Sequence, residues 1–249
     1  MSSLIWAGIV LAVLVFWMWL ERWRLLQPSV PWALKIGVKK YGLKYLLDGR
    51  GLNIFAYGRF LPHYIAVYQW FMVRMGAKGK KWMAETYHGK VLPTELAKAI
   101  ITVDHNIPLQ DLGTRIIPYG KAREIMMEAN PDIALTHCAC RTASGKNCGP
   151  KDVCMAIGRP FTDFVLEHQP KTTRRITKEE ALKILDDAHK RGCVHNAYFK
   201  DAAFDQFYAI CSCCSCCCTG IMAMGLGIDM VCASGYIAEV ENVLNRPGN

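Results

Sequence analysis

Six of the eight residues from Cys211 to Cys218, in the stretch ICSCCSCCCTG, are cysteine. Nothing else constrains this chain as tightly. A packed core has no use for so many thiols in a row, so the segment must meet other residues around something that sulfur binds. The chain has 249 residues and 12 cysteines. That length supports a core without staples and sets it apart from disulfide-stapled mini-scaffolds. The cysteines fall into two groups, Cys138, Cys140, Cys148 and Cys154, then Cys211, Cys213, Cys214, Cys216, Cys217 and Cys218. Cys193 and Cys232 stand apart and read as small core hydrophobes.

The first group, HCACRTASGKNCGPKDVC, has the spacing C-x-C-x7-C-x5-C, with Gly145, Gly149 and Pro150 between the thiols. Those residues suit a loop wrapped around a compact object. Soft sulfur ligands select Zn, Cu(I) and Fe–S clusters. Zinc sites usually open with a wider first spacing, which favours Fe–S, although the bacterial C-x2-C-x2-C-x3-C-P run is absent. His137 and Arg141 flank the first pair as candidate outer partners, with Arg141 a cation beside thiolates. In the second group an extended chain would point Cys211, Cys213 and Cys217 one way and Cys214, Cys216 and Cys218 the other. Three thiols per face allow two centres, each completed from the first group. His195, in GCVHNA, is a third candidate neighbour of the metal, and a satisfied structural histidine is its alternative reading.

The run Leu4 to Leu20, LIWAGIVLAVLVFWMWL, has no charge and is followed by Trp23, Arg22 and Arg24. It reads as a transmembrane anchor within residues 1–25, slightly short of the ~30 Å hydrocarbon core. The basic residues that follow place the remainder in the cytoplasm of an inner-membrane, single-pass protein. That compartment keeps thiols reduced, so structural disulfides are not expected. Of the net charge of +9, the whole excess sits between Glu21 and Lys90, amid aromatic residues. Residues 26–90 therefore read as a basic, aromatic, membrane-proximal segment facing anionic lipid, with no nucleic acid expected.

Residues 91–249 read as the metal domain. PTELAKAIITVD and PYGKAREIMMEANPD carry helix signals, and TKEEALKILDDAHKRG carries the clearest: a Thr177–Glu180 capping box, an Ala181, Ile184, Leu185, Ala188 stripe and a Gly192 stop. Strand signals are weak, in DIALTHCAC and GYIAEVENVL. YIAVYQWFMVR reads as a short buried or interfacial helix. The fold class expected is α+β, a mostly helical cysteine-rich domain behind one N-terminal transmembrane helix. Haem-attachment, zincin, dinucleotide-binding, Walker and nucleophile-elbow motifs are all absent from the sequence.

The segments PLQDLGTRIIPYGKAREIM, HCACR…C…VC, ITKEEALKILDDAHKRGCVH and ICSCCSCCC, in this order, resemble a family of microbial ferredoxin-like 4Fe-4S binding proteins. The resemblance spans roughly residues 91 to 241. It implies one or two [4Fe-4S] clusters on Cys138, Cys140, Cys148, Cys154 and the cysteines of 211–218, and a role as an electron carrier or oxidoreductase subunit. Such proteins often continue into a two-cluster ferredoxin module that these residues lack, which implies a redox partner protein or complex subunit. A non-redox Zn or Cu(I) store, or a redox or metal sensor, is the reading to set against electron transfer.

Overall fold

The structure, a computed structural model, describes residues 2–20, 23–102, 107–108, 126–127, 131–200, 203–204 and 206–232. Helices fill the first part: α1 (Ser2–Leu20), a 3-10 turn (Arg24–Leu26), α2 (Ser29–Tyr41), α3 (Lys44–Leu47), α4 (Arg50–Arg59), α5 (Leu61–Met72) and α6 (Ala77–Thr86). From β1 (Tyr87–Leu92) onward the chain builds a sheet. Its further elements are α7 (Thr94–Thr102), a small β2–β3 pair (Ile107–Pro108, Met126–Met127), β4 (Ile133–His137), α8 (Ala139–Ser144), β5 (Asp152–Ile157) and α9 (Phe161–His168). Then follow β6 (Thr173–Arg175), α10 (Lys178–Lys190), β7 (Val194–Lys200), β8 (Gln206–Cys213), α11 (Thr219–Gly225) and β9 (Val231–Cys232).

The main sheet has seven strands in the order β6-β4-β5-β8-β7-β1-β9. Its neighbours are antiparallel except β1 and β9, which run parallel. The α+β class therefore stands, but the cysteine region is not mostly helical: every grouped cysteine lies on a strand of this sheet or on the turns and short helices at strand ends. Residues such as VHNAYFK and QFYAICSC carry no clean polar–apolar alternation, because both faces of the sheet are covered. On one face α7 and α10 pack Ala97, Ile100, Ile101, Ala181 and Leu185 against Leu135, Met155, Ala197, Phe199 and Ile210. The other face meets the N-terminal helices, with Tyr57 of α4 and Phe161 of α9 packed against Tyr198, Tyr208 and Cys213.

Helix α10 forms where the sequence places it. The Thr177 side chain accepts from the Glu180 backbone N–H at 3.2 Å, and Gly192 ends the helix at φ +74° with its N–H on the His189 carbonyl. Helices α7 and α5 also match their sequence patterns. The helix expected near residues 118–132 and the strand expected in GYIAEVENVL lie outside the described residues, apart from Met126–Met127, which are β3, and the Pro131–Asp132 end of the former. A division at residue 90 falls inside β1, which hydrogen-bonds to β7 along its length.

Among the described residues, no helix is long and apolar enough to cross a membrane. This overturns the N-terminal transmembrane anchor, the fold class built on it, and the single-pass inner-membrane placement with a cytoplasmic C-terminal domain. The apolar run does form α1, but its 19 residues rise only roughly 28 Å. Its C-terminal end docks on the protein: Trp17 lies edge-on to Phe55, ring centroids 6.4 Å apart, beside Val30 and Phe164.

Candidate metal centre

Strand pairing brings the two cysteine groups together. Cys154 on β5 stands directly opposite Cys211 on β8, across sequence that no local pattern connects. Strand β4 ends at His137, so Cys138 caps α8 and Cys140 falls in its first turn. Strand β8 ends at Cys213, the chain turns through Cys214–Cys217, and Cys218 caps α11. Gly145 ends α8 at φ +65°, a left-handed conformation that glycine adopts freely, and starts the loop that carries Cys148 across to the second turn.

The ten thiols separate into two sets. The outer set is Cys148, Cys214, Cys216 and Cys217, whose four sulfurs all lie within 4.8 Å of one another. This group can hold a metal ion. Cys214 Sγ is 2.9 Å from Cys217 Sγ and 3.3 Å from Cys216 Sγ. The Cys148 and Cys216 sulfurs come into near-disulfide contact, which joins the two cysteine groups across the outer set. The inner set is a string of sulfur contacts, Cys211 to Cys154 to Cys138 to Cys140 to Cys218 to Cys213. An extended chain would have put Cys217 with Cys211 and Cys213. Because the chain leaves the extended state at Cys214, Cys217 joins the outer set and Cys218 the inner one.

In each set one thiol is set apart electrostatically. Cys140 is held well below the ordinary thiol pKa, because Cys138, Cys218 and the Thr219 hydroxyl donate to its sulfur. Burial opposes ionisation of Cys214, but donation from Cys217 and the charge of Arg141 outweigh it and lower its pKa. The others move up. Contacts with Cys140 and Cys154, then burial, raise Cys138, and burial followed by the Cys214 neighbour pushes Cys217 up to about 12. A thiolate is the form that binds metal, and Cys140 and Cys214 are the two sulfurs whose surroundings favour it.

Arg141, only 2% exposed, sits between them. Its guanidinium donates to Cys193 Sγ at 3.3 Å, to the Ser212 carbonyl at 3.4 Å and to the Pro150 carbonyl, and its charge reaches both Cys138 and Cys214. Cys193 is therefore a hydrogen-bond acceptor for this cation as well as a buried thiol. His137 contacts Asp152 at 3.2 Å beside Cys138. His195 is paired with Ser212 in the β7–β8 register, on the sheet face opposite Cys211 and Cys213, and its Nδ1 meets the Ser212 hydroxyl at 3.1 Å. The sheet separates His195 from the sulfurs.

Several residues not singled out in the sequence surround the inner set. The Tyr198 hydroxyl lies 3.7 Å from both Cys213 and Cys218 Sγ, and Thr219 Oγ1 lies 3.2 Å from Cys140 Sγ. Gly220 leaves room for this, since a Cβ there would fall 2.7 Å from the Tyr198 hydroxyl. Asn196, cross-strand neighbour of Cys211, is 1% exposed, and neither amide atom has a protein partner. A cavity of about 130 Å³ runs from these thiols to a triangle of hydroxyls, Tyr57–Tyr208 at 2.7 Å, Tyr208–Tyr87 at 3.1 Å and Tyr57–Tyr87 at 3.2 Å. The signal that could have found Tyr198 and Asn196 is the period of two along VHNAYFK, which puts them and Lys200 on one face of β7.

Comparisons with protein-family models, with curated proteins and with solved structures find no match for this chain.

Proposed function

We propose that this chain holds two thiolate-bound metal centres and passes single electrons through the inner one, an iron–sulfur cluster, to a partner protein. The observation that carries this reading is the convergence of ten cysteines into two compact sulfur sets. Their geometries differ. A single ion with about 2.3 Å bonds to sulfur draws four thiolates to within about 4 Å of one another, which suits the outer set. A cubane takes one thiolate per iron and spaces its thiolates wider. The inner set has the larger count, six thiols beside a cavity of about 130 Å³ that Cys214 and Cys217 also border, and a polynuclear core there would part sulfurs that now touch. The resemblance to ferredoxin-like 4Fe-4S proteins agrees with this assignment.

Cys138, Cys140, Cys154, Cys211, Cys213 and Cys218 offer more ligands than a four-iron core needs. An iron–sulfur cluster bound there supplies reversible one-electron chemistry. The protein's own part is to keep water out with Phe161, Tyr198 and Tyr208, and to offset thiolate charge with Arg141. Asn196 and Tyr198 offer hydrogen-bond donors beside the sulfurs, which raises the potential of a cluster. For the outer set, the Cys148 and Cys216 sulfurs would complete four thiolate ligands with Cys214 and Cys217. The tight outer spacing also favours zinc at that position, so a mixed protein, redox-active inside and zinc-bearing outside, is the second reading.

The test is metal and acid-labile sulfide analysis of protein purified under strict anaerobiosis, with electron paramagnetic resonance before and after dithionite. Iron and sulfide in equal amounts, with a signal that appears on reduction, is the expected result. Zinc or copper without sulfide would reject electron transfer and leave a thiolate metal store.

A further inference from the structure

Among the described residues, every large apolar side chain left exposed, except Val194 and Met222, lies between Trp6 and Trp82. The basic excess of the sequence occupies the same region. Scattered exposed hydrophobics are ordinary. Helix α5 is different, because Val67, Trp70 and Phe71, 56, 54 and 49% exposed, recur at a spacing of three and four and form one stripe. Trp70 and Phe71 stack edge-on at 5.0 Å. One turn further on, Arg74 lays its guanidinium 4.3 Å from the Trp70 ring. Helix α6 then exposes Lys78, Lys81 and Trp82, with Glu85 3.9 Å from Lys81.

We propose that this outer face of α5, with the start of α6, rests on an anionic lipid surface, lying in the interface and crossing nothing. Trp70 and Phe71 are its anchors. Aromatic rings bordered by cations match the boundary between headgroups and acyl chains, where the rings gain burial and the cations meet phosphate. A protein partner fits less well, since lysines are depleted at protein–protein interface cores. Lys and Arg near an anionic surface are attracted to it, and Arg74, Lys78 and Lys81 supply that attraction.

The opposite side of α5 ties this surface to the thiols. Gln69 Nε2 donates to Thr219 Oγ1 at 2.9 Å and to the Cys217 carbonyl at 3.4 Å, and α5 packs on α8, which carries Cys140 and Arg141. A docked lipid surface would lie about one helix diameter, roughly 10–12 Å, from both sulfur sets. The inference holds whether or not metal is bound.

The experiment is co-sedimentation of the full chain with vesicles of phosphatidylcholine alone and of phosphatidylcholine mixed with phosphatidylglycerol. Binding to the mixed vesicles is expected to exceed binding to neutral ones about ten-fold and to weaken with added salt. Trp70→Ala with Phe71→Ala is expected to reduce it about ten-fold. Lys78→Glu with Lys81→Glu is expected to abolish the preference for the anionic vesicles. Equal binding to both vesicle types, or unchanged binding by the Trp70/Phe71 variant with its circular dichroism intact, would overturn the proposal. So would vesicle-independent self-association that this variant loses, since a second copy would then be the occupant. If the aromatic variant does not fold, the charge-reversal pair, at fully surface positions, decides the matter.

Discussion

Helix α5 has thiols on one side and tryptophan on the other, and the two surroundings are opposites. On the sheet side, Cys138, Cys154, Cys213 and Cys218 are buried beside Tyr198 and the Arg141 cation. On the outer side, Trp70 and Phe71 are half exposed and Arg74 lies over the Trp70 ring. Thiols that converge on one another are inside, while apolar rings that a core would welcome are outside. The contrast teaches that burial here follows chemistry. Ten thiols are brought together at the cost of a core that would otherwise be aliphatic, and apolar surface is left on the helical side.

The largest expected effect breaks the sheet side alone. Cys140→Ser removes the thiol held most firmly in its ionised form in the inner set, and anaerobic protein should lose at least about half of its iron and sulfide. Cys148→Ser should instead deplete only metal bound by the outer set. Equal losses in the two variants, measured by metal analysis, would mean that the sets are not separate centres.

A smaller effect belongs to the seam between α1–α2 and α9. His168 is 1% exposed, its Nε2 3.5 Å from the Ser29 hydroxyl and its ring against Phe164 at 4.1 Å. Burial, with the Arg24 and Arg59 charges adding to it, lowers its pKa to about 4. The folded state then binds fewer protons than the unfolded chain, whose histidine titrates near 6.5. This contribution to stability is therefore complete above about pH 6.5 and is lost as the pH falls toward 4, by up to about 3 kcal/mol. Urea titrations across that range should show His168→Gln with a visibly flatter decline than the parent. Parallel declines would remove His168 from the account.

The smallest effect lies on the neighbouring contact of α4 with α9. A Cβ at Gly58 would lie 2.3 Å from the Phe164 ring, whereas one at Gly76 meets nothing within 4 Å. Gly58→Ala is expected to cost about 1–3 kcal/mol through overpacking, and Gly76→Ala to stay within about 0.5 kcal/mol. Comparable denaturation midpoints for the two would show that α4 does not press on α9 as described.

Much of the local structure was legible in the residues. The Thr177 cap, the Ala181–Leu185–Ala188 stripe and the Gly192 stop define α10 within one short segment, because all three signals are set by neighbours three or four residues away. The clustering of thiols was equally plain, since Cys138 to Cys154 and Cys211 to Cys218 stand out in any reading of the chain. The apolar run Leu4–Leu20 was legible as a helix and misleading as an anchor: an uncharged run of that length reports helix, but Trp17 packing on Phe55 depends on residues far along the chain.

The sequence by itself determined that ten sulfurs had to converge, and on which short segments they ride. Only the tertiary structure decided how they divide, four outside and six inside, and that Arg141, Tyr198 and Asn196 stand among them. The alternation of a strand says which side chains share a face, but not which strand lies next to it. The Cys154–Cys211 pairing comes from a register set by packing across the whole sheet, and Cys148 reaches Cys216 across 68 residues of sequence separation. Contacts of that range are made by closing the core, and no local pattern encodes them.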